Sequence, residues 1–111
     1  MLTLDKVKMA VIQTAENGVV NKDTIFYFTQ EGNVVQAEYV GGKIKKGFLI
    51  GQIAAQVLRF SYCQLQTDGV LDNGVSSCEL SVGDTGKIMM LEYFEWKSRP
   101  GETGLNVFQE I

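Results

Sequence analysis

The chain has no histidine, a single proline, two cysteines and one tryptophan among its 111 residues. Each scarcity narrows the function. Without histidine the commonest general base and the commonest transition-metal ligand are missing. Cys63 and Cys78 alone do not complete a tetrahedral zinc site. No metal, no cofactor and no catalytic residue is therefore expected. Basic residues are short as well. Ten Lys and Arg against thirteen Asp and Glu leave a net charge of −3, whereas nucleic acid demands a basic footprint. The one basic cluster, Lys43, Lys45 and Lys46, sits beside Gly41-Gly42 and reads as a solvated turn. No run approaches the ~20 apolar residues that span a bilayer. The first residues lack the basic leader and apolar run of a signal peptide. The expectation is a cytoplasmic protein with no nucleic-acid or membrane partner.

Turn signals recur at short intervals: Asn17-Gly18, Glu31-Gly32-Asn33, Gly41-Gly42, Asp68-Gly69, Asp84-Thr85-Gly86 and Pro100-Gly101. Such pairs supply the positive φ angles of tight hairpins. Between them lie runs rich in Val, Ile, Phe, Tyr and Thr, which suit a pleated surface. Strands are predicted over 7–15, 24–30, 34–40, 43–53, 57–66, 70–82, 87–97 and 105–111. Only residues 51–58 have a helix-friendly composition, and they are read as a loop between the fourth and fifth strands. Short connections make neighbouring strands antiparallel. Closing the meander removes its two exposed edges. The predicted fold is all-β: one domain over residues 1–111, an up-and-down meander of about eight strands forming a small barrel.

Period-two alternation assigns the faces. In the seventh strand Ile88, Met90, Glu92, Phe94 and Trp96 form the bulkier face and are placed inside. In the fifth, Leu58, Phe60, Tyr62 and Gln64 are placed inside. A three-residue loop at Thr67-Asp68-Gly69 sets Tyr62 opposite Gly74, Phe60 opposite Ser76 and Leu58 opposite Cys78. Cys78 then points in, Cys63 points out, and both are expected to be free thiols. A two-residue loop at Glu31-Gly32 pairs Phe28 with Val35 and Phe26 with Ala37, and Tyr39 joins the inner face. Across Gly41-Gly42, Tyr39 is expected opposite Ile44. Beyond it two registers remain. Either Lys46 is luminal, or a bulge at Lys45-Lys46 turns Gly47, Leu49 and Gly51 inward; the bulge is preferred, because a luminal lysine is costly.

The polar residues on the inner faces are Gln30, Tyr39, Tyr62, Gln64 and Glu92, with Lys46 in the first register; Trp96 adds an aromatic wall with one N–H donor. A few converging polar groups in an apolar lumen describe a small-molecule site. Tyr39, Tyr62, Gln64, Glu92 and Trp96 are the candidate ligand-binding residues. Burial raises the Glu92 pKa unless donors or a cation hold it charged, and Tyr39, Tyr62 or Gln64 are the expected donors. The same residues also read as a network that merely locks the barrel's register. In that case the protein is a structural or interaction module, homo-oligomerising through a sheet face such as Met89, Leu91 and Tyr93. Catalysis ranks behind both. Glu92 is the one general acid or base available, and Cys78 has no histidine to activate it.

The segment from Thr24 to Gly51 carries the string Tyr39-x-Gly41-Gly42-x-Ile44-x-x-Gly47-x-Leu49-x-Gly51, and Leu91-Glu92-Tyr93-Phe94-Glu95-Trp96 follows later. With these the chain resembles a group of small bacterial proteins with avidin-like or lipocalin-like barrels. The resemblance covers nearly the whole chain and implies an eight-stranded meander with a ligand-sized lumen. Avidin's biotin-contacting residues have no position-by-position match here, so the resemblance implies the barrel and not biotin. Some members are labelled N-acetylglutamate synthase. An acetyltransferase of the usual kind cradles the acetyl-CoA pyrophosphate at a helix start, whereas Lys46–Gly51 reads as strand.

Overall fold

A computed structural model describes residues 2–111. Eight strands run in chain order: β1 (Lys8–Gln13), β2 (Ile25–Glu31), β3 (Val34–Gly41), β4 (Ile44–Ala54), β5 (Val57–Gln66), β6 (Leu71–Val82), β7 (Ile88–Trp96) and β8 (Thr103–Glu110). Each pairs antiparallel with the next, and β8 returns to pair with β1, closing the barrel. The all-β meander expected from the turn spacing is therefore the fold. Closure satisfies the backbone groups that two free edges would leave open.

The face assignments hold. Leu58, Phe60, Tyr62 and Gln64 on β5, and Ile88, Met90, Glu92, Phe94 and Trp96 on β7, are buried. Tyr62 lies opposite Gly74, Phe60 opposite Ser76 and Leu58 opposite Cys78. Gly69 at φ 89° closes that hairpin. Cys78 is buried, Cys63 is exposed, and both thiols are free.

Two registers and one loop assignment differ from expectation. The β2–β3 turn uses Gly32-Asn33, so Phe28 pairs with Ala37 and Phe26 with Tyr39. The slip is two residues, which keeps every side chain on its face. Across the next turn Ile44 pairs with Gly41, and Tyr39 pairs with Gly47. The bulge before Gly47 puts Lys45 and Lys46 outside, and Lys46 meets Glu38 at 3.2 Å. Residues 51–58 are not a loop. They are the end of β4, the start of β5 and a two-residue turn at Ala55 and Gln56 with φ of 50° and 65°. Neighbours hold this non-glycine turn: Leu80 N–H donates to the Gln56 carbonyl, and Ile53 N–H to that of Asn33.

Narrow bore is achieved by setting glycine against aromatic. Gly47 faces Tyr39, Gly74 faces Tyr62 and Gly104 faces Phe94. A Cβ at any of the three would run into the facing ring. Packing explains part of the Tyr39-to-Gly51 string: Gly47 admits the Tyr39 ring, and a Cβ at Gly51 would collide with the Arg59–Phe60 backbone. The two barrel ends are closed differently. Leu4 and Val7 plug one end, where Gln30 Oε1 accepts from the Leu4 N–H at 2.9 Å. Residues 14–24 cross the other, with Val19 and Val20 buried.

Candidate functional site

Beneath residues 14–24 the lumen holds a cavity of about 30 Å³. All five predicted site residues, Tyr39, Tyr62, Gln64, Glu92 and Trp96, line it, with Val19 and Val20 as its roof. Strand parity brings them together: every one occupies an inward position on β3, β5 or β7. Aromatic rings form much of the wall. Tyr62 and Phe94 each meet Trp96 edge-on at 5.7 Å, and Phe26 stacks on Tyr39 at 4.4 Å. The volume departs from the ligand-sized lumen that the resemblance implied. It admits about one or two waters, against the roughly 300–1,000 Å³ of typical small-molecule pockets. The rings and the loop fill the rest.

The polar residues form two separate groups, one around Gln64 and one around Glu92. Tyr39 Oη donates to Gln64 Oε1 at 2.8 Å. Glu92 takes its hydrogen bonds from elsewhere than expected: Ser76 Oγ donates to Oε2 at 2.7 Å and Asn106 Nδ2 to Oε1 at 2.9 Å. Tyr39, Tyr62 and Gln64 are not its donors. The reason is register, since Glu92 lies directly opposite Asn106 on β8 and Cys78 on β6, next to Ser76. Burial raises the Glu92 pKa, and the two donors offset only part of that rise. Burial, reinforced by Glu92, also lifts the Tyr39 and Tyr62 hydroxyls above their ordinary range. Burial pushes the Cys78 thiol up in the same way. The interior thus favours neutral forms.

Among the described residues two buried donors have no partner: Gln64 Nε2 and Trp96 Nε1. Both residues line the cavity and are 3% exposed. A buried N–H left unpaired costs about 1–3 kcal/mol, so this end of the lumen is under-satisfied by its own side chains.

Three residues that matter here were not among the predicted site residues, although Ser76 was expected on the inner face opposite Phe60. Ser76 and Asn106 hold Glu92, and Asp72 anchors the mouth. Ser76 and Asp72 share the inward parity of Cys78, and Asn106 that of Phe108; that parity was the available signal. Arg99 Nη2 meets Asp72 Oδ2 at 2.7 Å, Ser98 Oγ donates to Oδ1 at 2.8 Å, and Gln66 Nε2 donates to Oδ2 at 2.5 Å. Burial pushes the Asp72 pKa up, but the donors Arg99, Ser98 and Gln66 outweigh it and hold the carboxyl below its ordinary range. The Arg99 guanidinium also lies 4.6 Å over the Trp96 ring, a cation–π contact that fixes the indole. Among the described residues no group of three or more His, Cys, Asp or Glu side chains is placed to hold a metal ion.

A family model described as avidin-like protein matches residues 2–111. No curated protein and no solved structure matches the chain. The match spans all eight strands of the closed barrel: the chain belongs to the avidin-like protein family.

Proposed function

We propose that this barrel binds a small polar organic molecule in its lumen, at the end covered by residues 14–24. One observation carries the reading. Gln64 Nε2 and Trp96 Nε1 are buried without partners, and they line one cavity together with the Glu92 carboxyl. A ligand bearing a hydrogen-bond acceptor satisfies the two donors, Glu92 receives a donor from it, and the rings cover its apolar part. Binding rather than turnover fits the chemistry of the site, because the one buried thiol, Cys78, is held in its unreactive neutral form. The small cavity makes movement of the 14–24 loop a requirement for access.

The test is a metabolite screen read by Trp96 fluorescence and by thermal shift. A ligand at 100 times its Kd adds about 2.7 kcal/mol of stability, a rise of roughly 10 °C for a domain of this size. The response is expected to vanish in Gln64→Leu. Hits that persist in both Gln64→Leu and Glu92→Leu, or no hit across neutral, cationic and anionic metabolites, would sink the reading.

A second reading has its own observation. Phe48, Ile50 and Tyr93 are half exposed or more on the outer face, where Ile50 and Tyr93 border a shallow concavity of about 890 Å³ that spans β4 to β8. A second copy of the chain is the occupant this face suits. Sedimentation across concentrations, with Ile50→Lys as the control, decides it: a strictly monomeric profile removes it.

A further inference from the structure

Residues 14–24 are built as a unit that is anchored at one end and tied at the other. Within the loop, Thr14 Oγ1 donates to the Val20 carbonyl at 2.8 Å, and Gly18 N–H to that of Ala15 at 3.0 Å. The trailing end is packed hard against the β3–β4 turn. Thr24 Oγ1 donates to the Gly41 carbonyl at 3.0 Å. A Cβ at Gly41 would strike Asp23, and one at Gly42 would strike Asn21. Both of these glycines have positive φ, so the turn and the loop end fit only together. The leading end is held otherwise, by side-chain hydrogen bonds. Asn106 Oδ1 accepts from the Ala15 N–H at 2.9 Å, and Asn17 Nδ2 donates to the Thr103 carbonyl at 3.1 Å.

Asn106 is the junction. Its Nδ2 donates down into the lumen to Glu92, and its Oδ1 accepts from the loop above. One amide orientation alone satisfies both, because a flipped amide would set donor against donor at the Ala15 N–H. Between these ties Val19 and Val20 sit buried over the cavity.

We propose that residues 14–24 are a lid over the luminal cavity, and that Asn106 is the positioning residue that latches it, gripping the lid backbone with Oδ1 and Glu92 with Nδ2. The lid swings on its end at residues 21–24 and opens at 15–20. A ligand that donates a hydrogen bond to Glu92 Oε1 competes with the Asn106 amide, so filling the lumen loosens the latch. This last consequence rests on the luminal reading above; the lid and latch do not.

The experiment therefore uses the protein without ligand. Amide hydrogen exchange of the lid is measured together with acrylamide quenching of Trp96, which is the one tryptophan of the chain and lies under the lid. In the unmutated protein, exchange at 15–20 is expected to depend weakly on urea, as local opening does. Asn106→Leu and Glu92→Leu are expected to speed exchange at 15–20 about tenfold and to raise quenching severalfold, with β5 and β6 unchanged. Glu92→Gln keeps an acceptor for Asn106 Nδ2 and is expected to stay near the unmutated values. Exchange at 15–20 that follows global unfolding in the unmutated protein overturns the lid, and this measurement stands even if a variant fails to fold. Equal acceleration of every strand in Asn106→Leu makes Asn106 a core strut and overturns the latch. Glu92→Gln opening as far as Glu92→Leu overturns the relay through the carboxyl. A proven lid with no ligand found in the screen would sink the luminal reading alone.

Discussion

Replacing Tyr39 and Gln64 singly and together separates a polar lumen kept for binding from one kept for stability. Tyr39 Oη donates to Gln64 Oε1, and Gln64 Nε2 has no partner. In Tyr39→Phe the buried amide loses its remaining partner and both of its ends go unpaired. The expected cost is about 1–3 kcal/mol. Gln64→Leu removes the orphan donor but strands the tyrosine hydroxyl, so the two effects nearly cancel and stability changes by about 1 kcal/mol or less. The double variant forfeits one hydrogen bond worth about 0.5–1.5 kcal/mol, and it removes an unpaired N–H that costs about 1–3 kcal/mol. It is therefore expected to be more stable than the unmutated protein, by about 1 kcal/mol. Urea unfolding at constant m-value measures each corner of the cycle. The reasoning is refuted if the double variant loses 2 kcal/mol or more. That outcome would mean the pair locks the barrel's register, and the amide's unpaired end would be of no consequence. The expected outcome means that the lumen retains a polar group at a cost in stability, which is the mark of a binding site.

Gly47→Ala places a Cβ against three atoms of the Tyr39 ring, and a calorimetric scan is expected to show a loss of about 1–3 kcal/mol from overpacking. Glu92 gives stability a definite pH dependence. Its folded pKa is raised, so its contribution is fully present below the ordinary value of 4.5 and is lost as pH climbs through the folded value. Glu92→Gln is expected to gain on the unmutated protein above that pH, whereas Asp72, lowered from 3.8, contributes above 3.8 and fails on further acidification; urea melts from about pH 3 to about pH 8 test both signs. Of the two thiols, Cys63 is expected to react with Ellman's reagent in the folded protein and Cys78 only after unfolding, since one is exposed and the other buried. Equal reactivity in the native state would contradict the inward placement of Cys78.

Much of the barrel was legible because strands advertise themselves twice, through β-branched and aromatic content and through alternation. All eight strands lie within about two residues of their sequence-based ranges at each end. Inward and outward faces survived even where register was wrong. The β2–β3 slip was two residues, and parity is blind to an even slip. Residues 51–58 misled because Ala55 and Gln56 are not residues that announce a positive φ, and it is the flanking Asn33 and Leu80 bonds that hold them there. At the site, the five luminal residues were found by parity, while the partners of Glu92 were not. Ser76 and Asn106 are ordinary polar residues until the barrel sets β6 and β8 on either side of β7.

The sequence by itself determined which segments are strands, which side chains face inward, and that an unbridged, histidine-free interior carries Tyr39, Tyr62, Gln64, Glu92 and Trp96. Those are local properties, written in a two-residue period and in the glycines that turn the chain. Only the tertiary structure decided that Glu92 answers to Asn106 and not to the tyrosines, that residues 14–24 lie across the mouth, and that the lumen beneath them is about 30 Å³. Each of these depends on how far strands slide and how deeply rings overlap across the bore. Such distances belong to the closed barrel as a whole, and no single strand encodes them.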